Sequence, residues 1–171
     1  MQNIEIWDLY DEQRHLTGRD HIRGEDIPRG YYHLVVHVWI RNSHGEYLIS
    51  RRSADRPTYP LKWECTGGSV LKGEDSRTAA LRETKEEVGV ELSACDGKLV
   101  FSKVRNAIEG VRFADILDVW LFEYDGPIDL TKATTAEVAD VAWLNKEQIK
   151  RLFEDGEMVN TLGYFLESSD F

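Results

Sequence analysis

The chain has few cysteines and no long apolar run. Cys65 and Cys95 are the two cysteines among 171 residues, too few for a disulfide framework. No stretch approaches the roughly 18 consecutive apolar residues that a membrane-spanning helix needs. The first residues, MQNIEIWDLYDEQR, lack a basic start followed by an apolar run, so they do not predict a signal peptide. We therefore expect a cytoplasmic protein that does not associate with membranes.

Positive charge is also scarce. The chain has 21 Lys and Arg residues against 31 Asp and Glu residues, a formal net charge of −10. Binding to nucleic acid polymers or anionic membranes depends on clustered Lys and Arg, so the composition argues against both partners. A small anionic molecule remains compatible with this charge if metal ions neutralise its site. The length predicts a single domain, residues 1–171, with a real hydrophobic core.

Strand-like segments dominate the chain, with helical segments between and after them. IEIWDLY (4–10) and HLTGRD (15–20) predict a β-hairpin, which forms an N-terminal region of residues 1–30 with the loop after it. YYHLVVHVWI (31–40) and YLISRR (47–52) predict an antiparallel pair at the core of the sheet. Further strands are predicted at WECTGG, KLVFSKVR, FADILDVWLFEYDG and VADVAWL.

Helices are predicted at three places. The first spans Ser76–Val88, the second is KEQIKRLFEDG with Asn145 as its N-cap, and the last lies around MVNTLGYFLE. This mixture predicts an α+β or α/β fold, in the form of an α/β/α sandwich around a mixed β-sheet.

The first predicted helix concentrates negative charge on one flank. Glu83, Glu86 and Glu87 are spaced three and four residues apart, and such like-charged pairs cost an isolated helix roughly 0.2–0.5 kcal/mol each. A hard divalent cation would offset the repulsion, because Mg²⁺ prefers oxygen ligands. Gly89 is the stop signal of this helix. Its inner stripe is predicted to consist of Ala79, Ala80, Thr84 and Val88.

The acids belong to a longer pattern of fixed spacing. Gly68 is followed after five residues by Glu74, and after seven more by RETKEEVGV. The segment 68–90 resembles the Nudix box, the signature of the MutT-like hydrolases. At residue frequencies of roughly 5–7%, a chance match has a probability on the order of 10⁻⁸ per start position. Seven fixed positions match: Gly68, Glu74, Arg82, Glu83, Glu86, Glu87 and Gly89.

The resemblance implies a hydrolase that cuts a diphosphate linkage in a small molecule such as a nucleoside diphosphate derivative, with Mg²⁺ or Mn²⁺ as cofactor. Glu86 and Glu87 correspond to the principal metal ligands. Glu83 corresponds to a further ligand or to the base that orients the attacking water, and Gly67 to a ligand through its backbone carbonyl. Glu137 resembles a carboxylate that some family members supply from a distant loop; the alternative is a surface glutamate at the start of a strand.

Two further pairs of residues have predicted roles, one structural and one in binding substrate. Arg82 and Glu74 look structural, since their pairing would pin the loop SVLKGED onto the helix. Arg51 and Arg52 end the strand YLISRR near the predicted box, and the planar guanidinium of arginine binds phosphate well. We therefore predict that at least one of them binds substrate. The alternative is a solvated strand end paired with a local acid such as Asp55.

An isomerase is the first alternative function. The segments from WDLYDEQR to YLISRRS resemble the branch of the family that includes isopentenyl-diphosphate isomerase. In those enzymes a catalytic cysteine precedes the first box glycine and a histidine follows it, whereas this chain has Gly67 and Ser69 there. Cys65 would lie about 6–7 Å from the required place, and we expect it to be a buried small hydrophobe. His33 resembles a histidine of the isomerase strand but is expected to pack in or beside the sheet.

A non-catalytic module that binds a nucleotide or a protein is the second alternative. Loss of a box acid would favour it, and none is lost. Tyr31, Tyr32 or Tyr59 could stack on a base, although each is expected to be core or rim packing. The segment TLGYFLESSDF packs either on its own domain or across a homodimer interface, which the sequence leaves open. The specific substrate is also open, although FSKVRNAIEG lacks the proline of ADP-ribose-cleaving relatives.

Overall fold

The N-terminal hairpin is present in the computed structural model, which describes residues 4–108 and 110–171. Residues 1–3 of the predicted N-terminal region lie outside the described residues. β1 (Ile6–Tyr10) and β2 (Leu16–Ile22) pair antiparallel. The loop after them leads into the main sheet, as predicted.

Within the described residues, the main sheet contains seven strands. Their bounds are β3 His33–Arg41, β4 Tyr47–Arg52, β5 Trp63–Glu64, β6 Thr66–Ser69, β7 Gly97–Ile108, β8 Val111–Glu123 and β9 Val138–Leu144. The helices are α1 Ser76–Val88, α2 Lys146–Glu154 and α3 Tyr164–Glu167. Short 3-10 turns lie at Ala94–Asp96, Leu130–Lys132 and Asn160–Leu162. The predicted final helix is thus a 3-10 turn followed by one short helix.

The centre of the sheet is a parallel pair, β3 and β8. The two strands align from His33 opposite Asp115 to Arg41 opposite Glu123. β3 meets β4 only where Arg41 faces Tyr47, and β4 pairs along most of its length with β9. β3 and β4 are thus antiparallel neighbours inside the sheet, as predicted, although they share a short contact and the parallel pair of β3 and β8 is longer. Both β3 and β8 are buried on two faces, as central parallel strands are, and an apolar run does not specify its partner.

The segment WECTGG forms two strands where one was predicted. β5 pairs with β4, with Glu64 opposite Ser50, whereas β6 pairs with β3, with Gly67 opposite His37. The chain changes partner at Cys65. This change brings the glycines of β6 against the centre of the sheet.

Helices cover the two faces of the sheet, which confirms the predicted sandwich. On one face, β3 contributes Leu34, Val36, Val38 and Ile40 to a cluster with Ala79, Ala80 and Val88 of α1. The Thr84 hydroxyl of α1 donates to the Ala80 carbonyl at 2.8 Å, so this polar residue is satisfied inside the predicted apolar stripe. On the other face, Trp39 and Leu117 pack with Ile149 of α2 and Phe165 of α3. Within the described part of the chain, no helix has the length and apolar character to cross a membrane.

Candidate active site

Local sequence signals define the helix that carries the acids. The Asp75 side chain accepts a 2.7 Å hydrogen bond from the Thr78 amide at the start of α1. Gly89 ends the helix with φ of 71°, in the left-handed region that glycine adopts without strain. Since the small-residue stripe of α1 faces the sheet, its acidic flank is turned towards the edge of β6.

A cleft of 170 Å³ opens beside this flank. It is lined by three carboxylates of α1, by the glycines of β6 and by Glu137, which lies just before β9. Arg52, Arg56 and Arg23 also line it. We call this site the acidic cleft; its acids and glycines are Glu5, Glu83, Glu86, Glu87, Glu137, Gly67 and Gly68.

Arg82 organises one side of the acidic cleft. It donates two hydrogen bonds to Glu74, so the predicted contact between these residues is present. Its Nη1 atom also lies 2.8 Å from an oxygen of Glu83 and 3.1 Å from an oxygen of Glu86. Its fourth partner is the Ser69 carbonyl, at 3.0 Å. One guanidinium thus holds the loop before α1, the end of β6 and two of the acids together.

Glu87 is the most enclosed of the three acids. Its side chain is buried, and one carboxylate oxygen accepts a 3.3 Å hydrogen bond from the Gly67 amide. Burial raises the pKa of Glu87 well above its usual 4.5, and the nearby charges of Glu64, Glu83 and Glu137 raise it further. Burial also raises the pKa of Glu83. Burial in the acidic cleft therefore favours the protonated, neutral forms of Glu87 and Glu83.

The donor set fits a hard divalent cation by its chemistry. Carboxylate and carbonyl oxygens are the ligands of Mg²⁺ in proteins. A Cβ atom on Gly68 would lie 2.3 Å from an oxygen of Glu83, so only glycine leaves the space that this carboxylate occupies. Within residues 4–108 and 110–171, however, no three His, Cys, Asp or Glu side chains are grouped as a metal-binding set. Arg82 engages Glu83 and Glu86, and a cation must compete with it for them.

Of the residues outside the box that were predicted to join the site, some line the acidic cleft and one does not. Glu137 lines the acidic cleft and pairs with Arg56 at 2.8 Å. Arg52 lines it too, and its Nη1 atom donates to Glu64 at 2.6 Å. Arg51 points elsewhere: it donates to the Leu61 carbonyl at 3.0 Å, and its guanidinium lies over the Trp63 ring. Of the two predicted arginines, the fold brings Arg52 alone to the acidic cleft.

Sequence reasoning missed several residues of the cleft. Arg56 comes from the loop after β4, Thr135 from the loop before β9, and Glu5 and Arg23 from the base of the hairpin. The amides of Thr134 and Thr135 both donate to the Glu86 carbonyl, which ties that loop to α1. Nothing in the local pattern marks these residues, because long-range packing alone brings them together.

Cys65 and His33 lie where the sequence led us to expect them. Cys65 is buried in the core, and burial raises the pKa of its thiol well above 9.0. His33 is the first residue of β3, and its ring stacks on Trp7 with centroids 4.1 Å apart. Tyr32 is buried and donates to Asn106, while Tyr59 contacts Asn160.

Comparison with known proteins agrees with this geometry. The NUDIX domain family matches residues 31–163. An uncharacterized Nudix hydrolase of Listeria innocua is 40% identical over 157 residues, covering 91% of this chain and 89% of the relative. The crystal structure of DR0079 from Deinococcus radiodurans superposes with a TM-score of 0.73 at 24% identity, covering 95% of this chain and 98% of that one.

A third match is the bifunctional NMN adenylyltransferase/ADP ribose pyrophosphatase of Francisella tularensis, solved with AMP and a Mn ion. It has a TM-score of 0.57 and 20% identity, and the match covers 79% of this chain and 39% of that one. Together, the fold and the acidic cleft define a hydrolase of the Nudix type. The chain belongs to the NUDIX domain family, as its box predicted. The likeness to the isomerase branch, the cytoplasmic location and a homodimer stay predictions.

Proposed function

We propose that this protein is a Mg²⁺- or Mn²⁺-dependent hydrolase that cleaves the diphosphate linkage of a nucleoside diphosphate derivative or a similar small molecule. The observation that carries the proposal is the convergence of Glu83, Glu86, Glu87 and Glu137 with two glycines on one cleft that arginines also line. The Listeria relative supports the hydrolase class. The Francisella neighbour, solved with AMP and Mn, supports a nucleotide and a divalent cation as ligands.

The acids of the cleft would hold the cation. Glu86 and Glu87 are the principal ligands in this proposal, with Glu137 and the Gly67 carbonyl completing the oxygen set. A bound divalent cation supplies a Lewis acid that neutralises the diphosphate and acidifies a water molecule. Glu83 orients that water or takes its proton. The Glu83 carboxylate is kept beside Gly68 by its bond to Arg82.

The arginines of the cleft bind the phosphates. Arg52 and Arg56 present planar guanidinium groups, which match phosphate oxygens in geometry and charge. Glu64 and Glu137 pair with them and hold them in position. The Nε atom of Arg56 is buried and has no hydrogen-bond partner among the described residues. Hydrolysis adds one water across the phosphorus–oxygen–phosphorus linkage and leaves two phosphate products.

The test is a substrate screen with paired variants. Purified protein is incubated with Mg²⁺ or Mn²⁺ and a panel of nucleotide sugars, nucleoside diphosphates and triphosphates, dinucleoside polyphosphates, ADP-ribose, coenzyme A and isopentenyl diphosphate. Products are identified by mass spectrometry. We expect cleavage at a diphosphate linkage that EDTA abolishes and that Glu86→Gln and Glu87→Gln reduce by at least about 100-fold.

Glu91→Gln is the matched control, because Glu91 is exposed just beyond α1 and pairs with Lys85. This variant should retain the wild-type rate. Cleavage that survives EDTA, or that is unchanged in Glu86→Gln and Glu87→Gln, would contradict the proposal. So would isomerisation of isopentenyl diphosphate without hydrolysis of any compound in the panel.

A further inference from the structure

A second cavity adjoins the acidic cleft. Gly67 and Gly68 line both, so β6 forms the wall between them. We call it the His37 cavity; its other walls are Val35, His37, Glu64, Cys65, Val159, Thr161 and Leu162. A ligand seated there lies beside the box glutamates. The His37 cavity is thus placed to hold the part of a substrate that does not react.

The size of the His37 cavity suits one small ring. Its volume is 140 Å³, and an engineered protein cavity of roughly 150 Å³ is known to bind benzene. A single six-membered ring therefore matches the available space. A fused two-ring system is larger and must protrude from the cavity.

Hydrogen bonds behind the cavity engage one nitrogen of His37 and leave the other for a ligand. Trp39 Nε1 is a donor only, and it donates to the Tyr164 hydroxyl oxygen at 3.0 Å. The same hydroxyl lies 2.8 Å from His37 Nδ1 and also contacts the Cys65 side chain, so its single proton goes to one of these two groups. When Nδ1 accepts this proton, the imidazole proton lies on Nε2, which is then a donor. No described residue bonds to Nε2, and the adjoining Cδ2 atom faces Gly67, on the cavity side.

The rest of the wall adds an acceptor and a hydroxyl. One oxygen of Glu64 accepts from Arg52 at 2.6 Å, which leaves its other oxygen as an acceptor. The Thr161 hydroxyl can both donate and accept, and Val35 and Leu162 are apolar. A neutral ring with a carbonyl next to an N–H or amino group complements this set. A hydrocarbon group would leave the donor and the acceptor unpaired, which proteins avoid.

We propose that the His37 cavity is the base subsite of the enzyme and takes a pyrimidine ring. His37 Nε2 donates to a ring carbonyl, and Glu64 or Thr161 pairs with the neighbouring N–H or amino group. Val35 and Leu162 pack on the ring faces. The reaction at the attached diphosphate rests on the proposed function above, whereas binding of the ring does not.

Binding is therefore measured separately from hydrolysis. The protein is titrated without metal against cytidine, uridine and adenosine 5′-monophosphates by isothermal titration calorimetry. We expect at least one pyrimidine nucleotide to bind about tenfold or more tightly than the adenosine nucleotide. Thr161→Val and His37→Gln should each reduce that preference several-fold. Thr131→Val is the matched control, because Thr131 is exposed and bonds to Asp129 elsewhere; it should not change the preference.

The titration results decide whether the His37 cavity is a base subsite. Equal affinity for the three nucleotides, or a preference unchanged in both Thr161→Val and His37→Gln, would overturn the base subsite. A pyrimidine preference without hydrolysis of any diphosphate would contradict the proposed function and leave the subsite standing. If thermal denaturation shows His37→Gln to be unfolded, Thr161→Val carries the test alone.

Discussion

Arg82 donates two parallel hydrogen bonds to Glu74, from Nε to Oε1 and from Nη2 to Oε2, both at 2.9 Å. Glu74 also accepts a 3.1 Å bond from the Leu71 amide, so the pair anchors the loop that precedes α1. The same guanidinium contacts Glu83 at 2.8 Å. Stability of the loop and orientation of a candidate catalytic acid thus depend on one guanidinium, that of Arg82.

Replacing Glu74 should therefore destabilise the protein. Glu74→Gln removes the negative partner of a largely buried arginine, and we expect the free energy of unfolding to fall by roughly 1–3 kcal/mol. Urea denaturation followed by tryptophan fluorescence measures the change. The control is Glu91→Gln, which breaks an exposed pair with Lys85 and should cost less than about 1 kcal/mol. Equal losses in the two variants would contradict a structural role for Glu74.

The adjacent glycines of β6 should respond differently to an added methyl group. In Gly68→Ala the new Cβ would lie 2.3 Å from a Glu83 oxygen, the end of a flexible side chain, which can move. We expect little change in stability and a loss of activity of at least about tenfold, because Glu83 is displaced. In Gly67→Ala the Cβ would lie 2.3 Å from the Val36 carbonyl oxygen, which belongs to a central strand. That variant should unfold at markedly lower urea concentrations.

Gly163→Ala provides the control for this pair. The nearest atom to an added Cβ is the Asn160 carbonyl oxygen at 3.8 Å, and the backbone there is helical. Stability should stay the same or rise by about 0.4–1 kcal/mol, since alanine restricts the unfolded chain. Activity of Gly68→Ala equal to that of the wild type would contradict the role given to the space beside Glu83.

One arginine should hold the tip of the N-terminal hairpin against the main sheet. Arg14 donates to both oxygens of Asp118, at 2.6 and 2.5 Å, and the Asp118 side chain is fully buried in β8. Arg14→Ala leaves that carboxylate without its counter-charge. Because Arg14 itself is partly exposed, we expect a loss of roughly 1–3 kcal/mol, below the range for fully buried pairs.

Limited proteolysis tests where this loss is localised. Cleavage between residues 11 and 22 should become faster in Arg14→Ala, because the hairpin is released from the sheet. Arg14→Lys retains the charge, so its rate of cleavage in this segment should lie between the rates of the wild type and of Arg14→Ala. A uniform increase in cleavage across the chain would indicate global destabilisation instead.

Acid should destabilise the protein through His33. Burial, with the nearby charges of His21, Arg105 and Arg23, lowers the pKa of His33 to about 3. An unfolded chain has a histidine pKa of about 6.5, so the unfolded state binds this proton more readily. The stabilising contribution is complete above pH 6.5 and is lost as the pH falls towards 3. Between pH 6.5 and 4.5 the loss is roughly 2–3 kcal/mol.

His33→Phe isolates this contribution. The phenyl ring can stack on Trp7 as the imidazole does, and His33 Nδ1 has no partner among the described residues that the change would remove. The free energy of unfolding at pH 7 should be nearly unchanged, while its decrease between pH 6.5 and 4.5 should become smaller. Part of the slope will remain, because the pKa of buried His37 is also lowered to about 3. An unaltered slope would show that His33 is not the titrating group.

Much of the local structure could be predicted from the sequence. The bounds of α1 agree with the prediction at both ends, as does the span VADVAWL of β9, and Asn145 caps α2 through a capping box with Gln148. These features depend on neighbours within a few residues, so a short window of sequence contains their causes. The pairing of strands does not depend on near neighbours in this way, because the alignment of β3 with β8 joins residues about 80 positions apart.

The sequence by itself determined the Nudix box, the helix that carries it and the family to which the chain belongs. Those properties follow from spacing along one helix, where residues three and four apart must share a flank. The tertiary structure decided that Arg52 rather than Arg51 reaches the acidic cleft, since successive residues of a strand face opposite ways and burial selects the side. It also decided that Arg56 and Glu137 join the box, and that His37, Glu64 and Thr161 surround one cavity. These groups come from separate elements, and only packing of the sheet brings them within reach of one another.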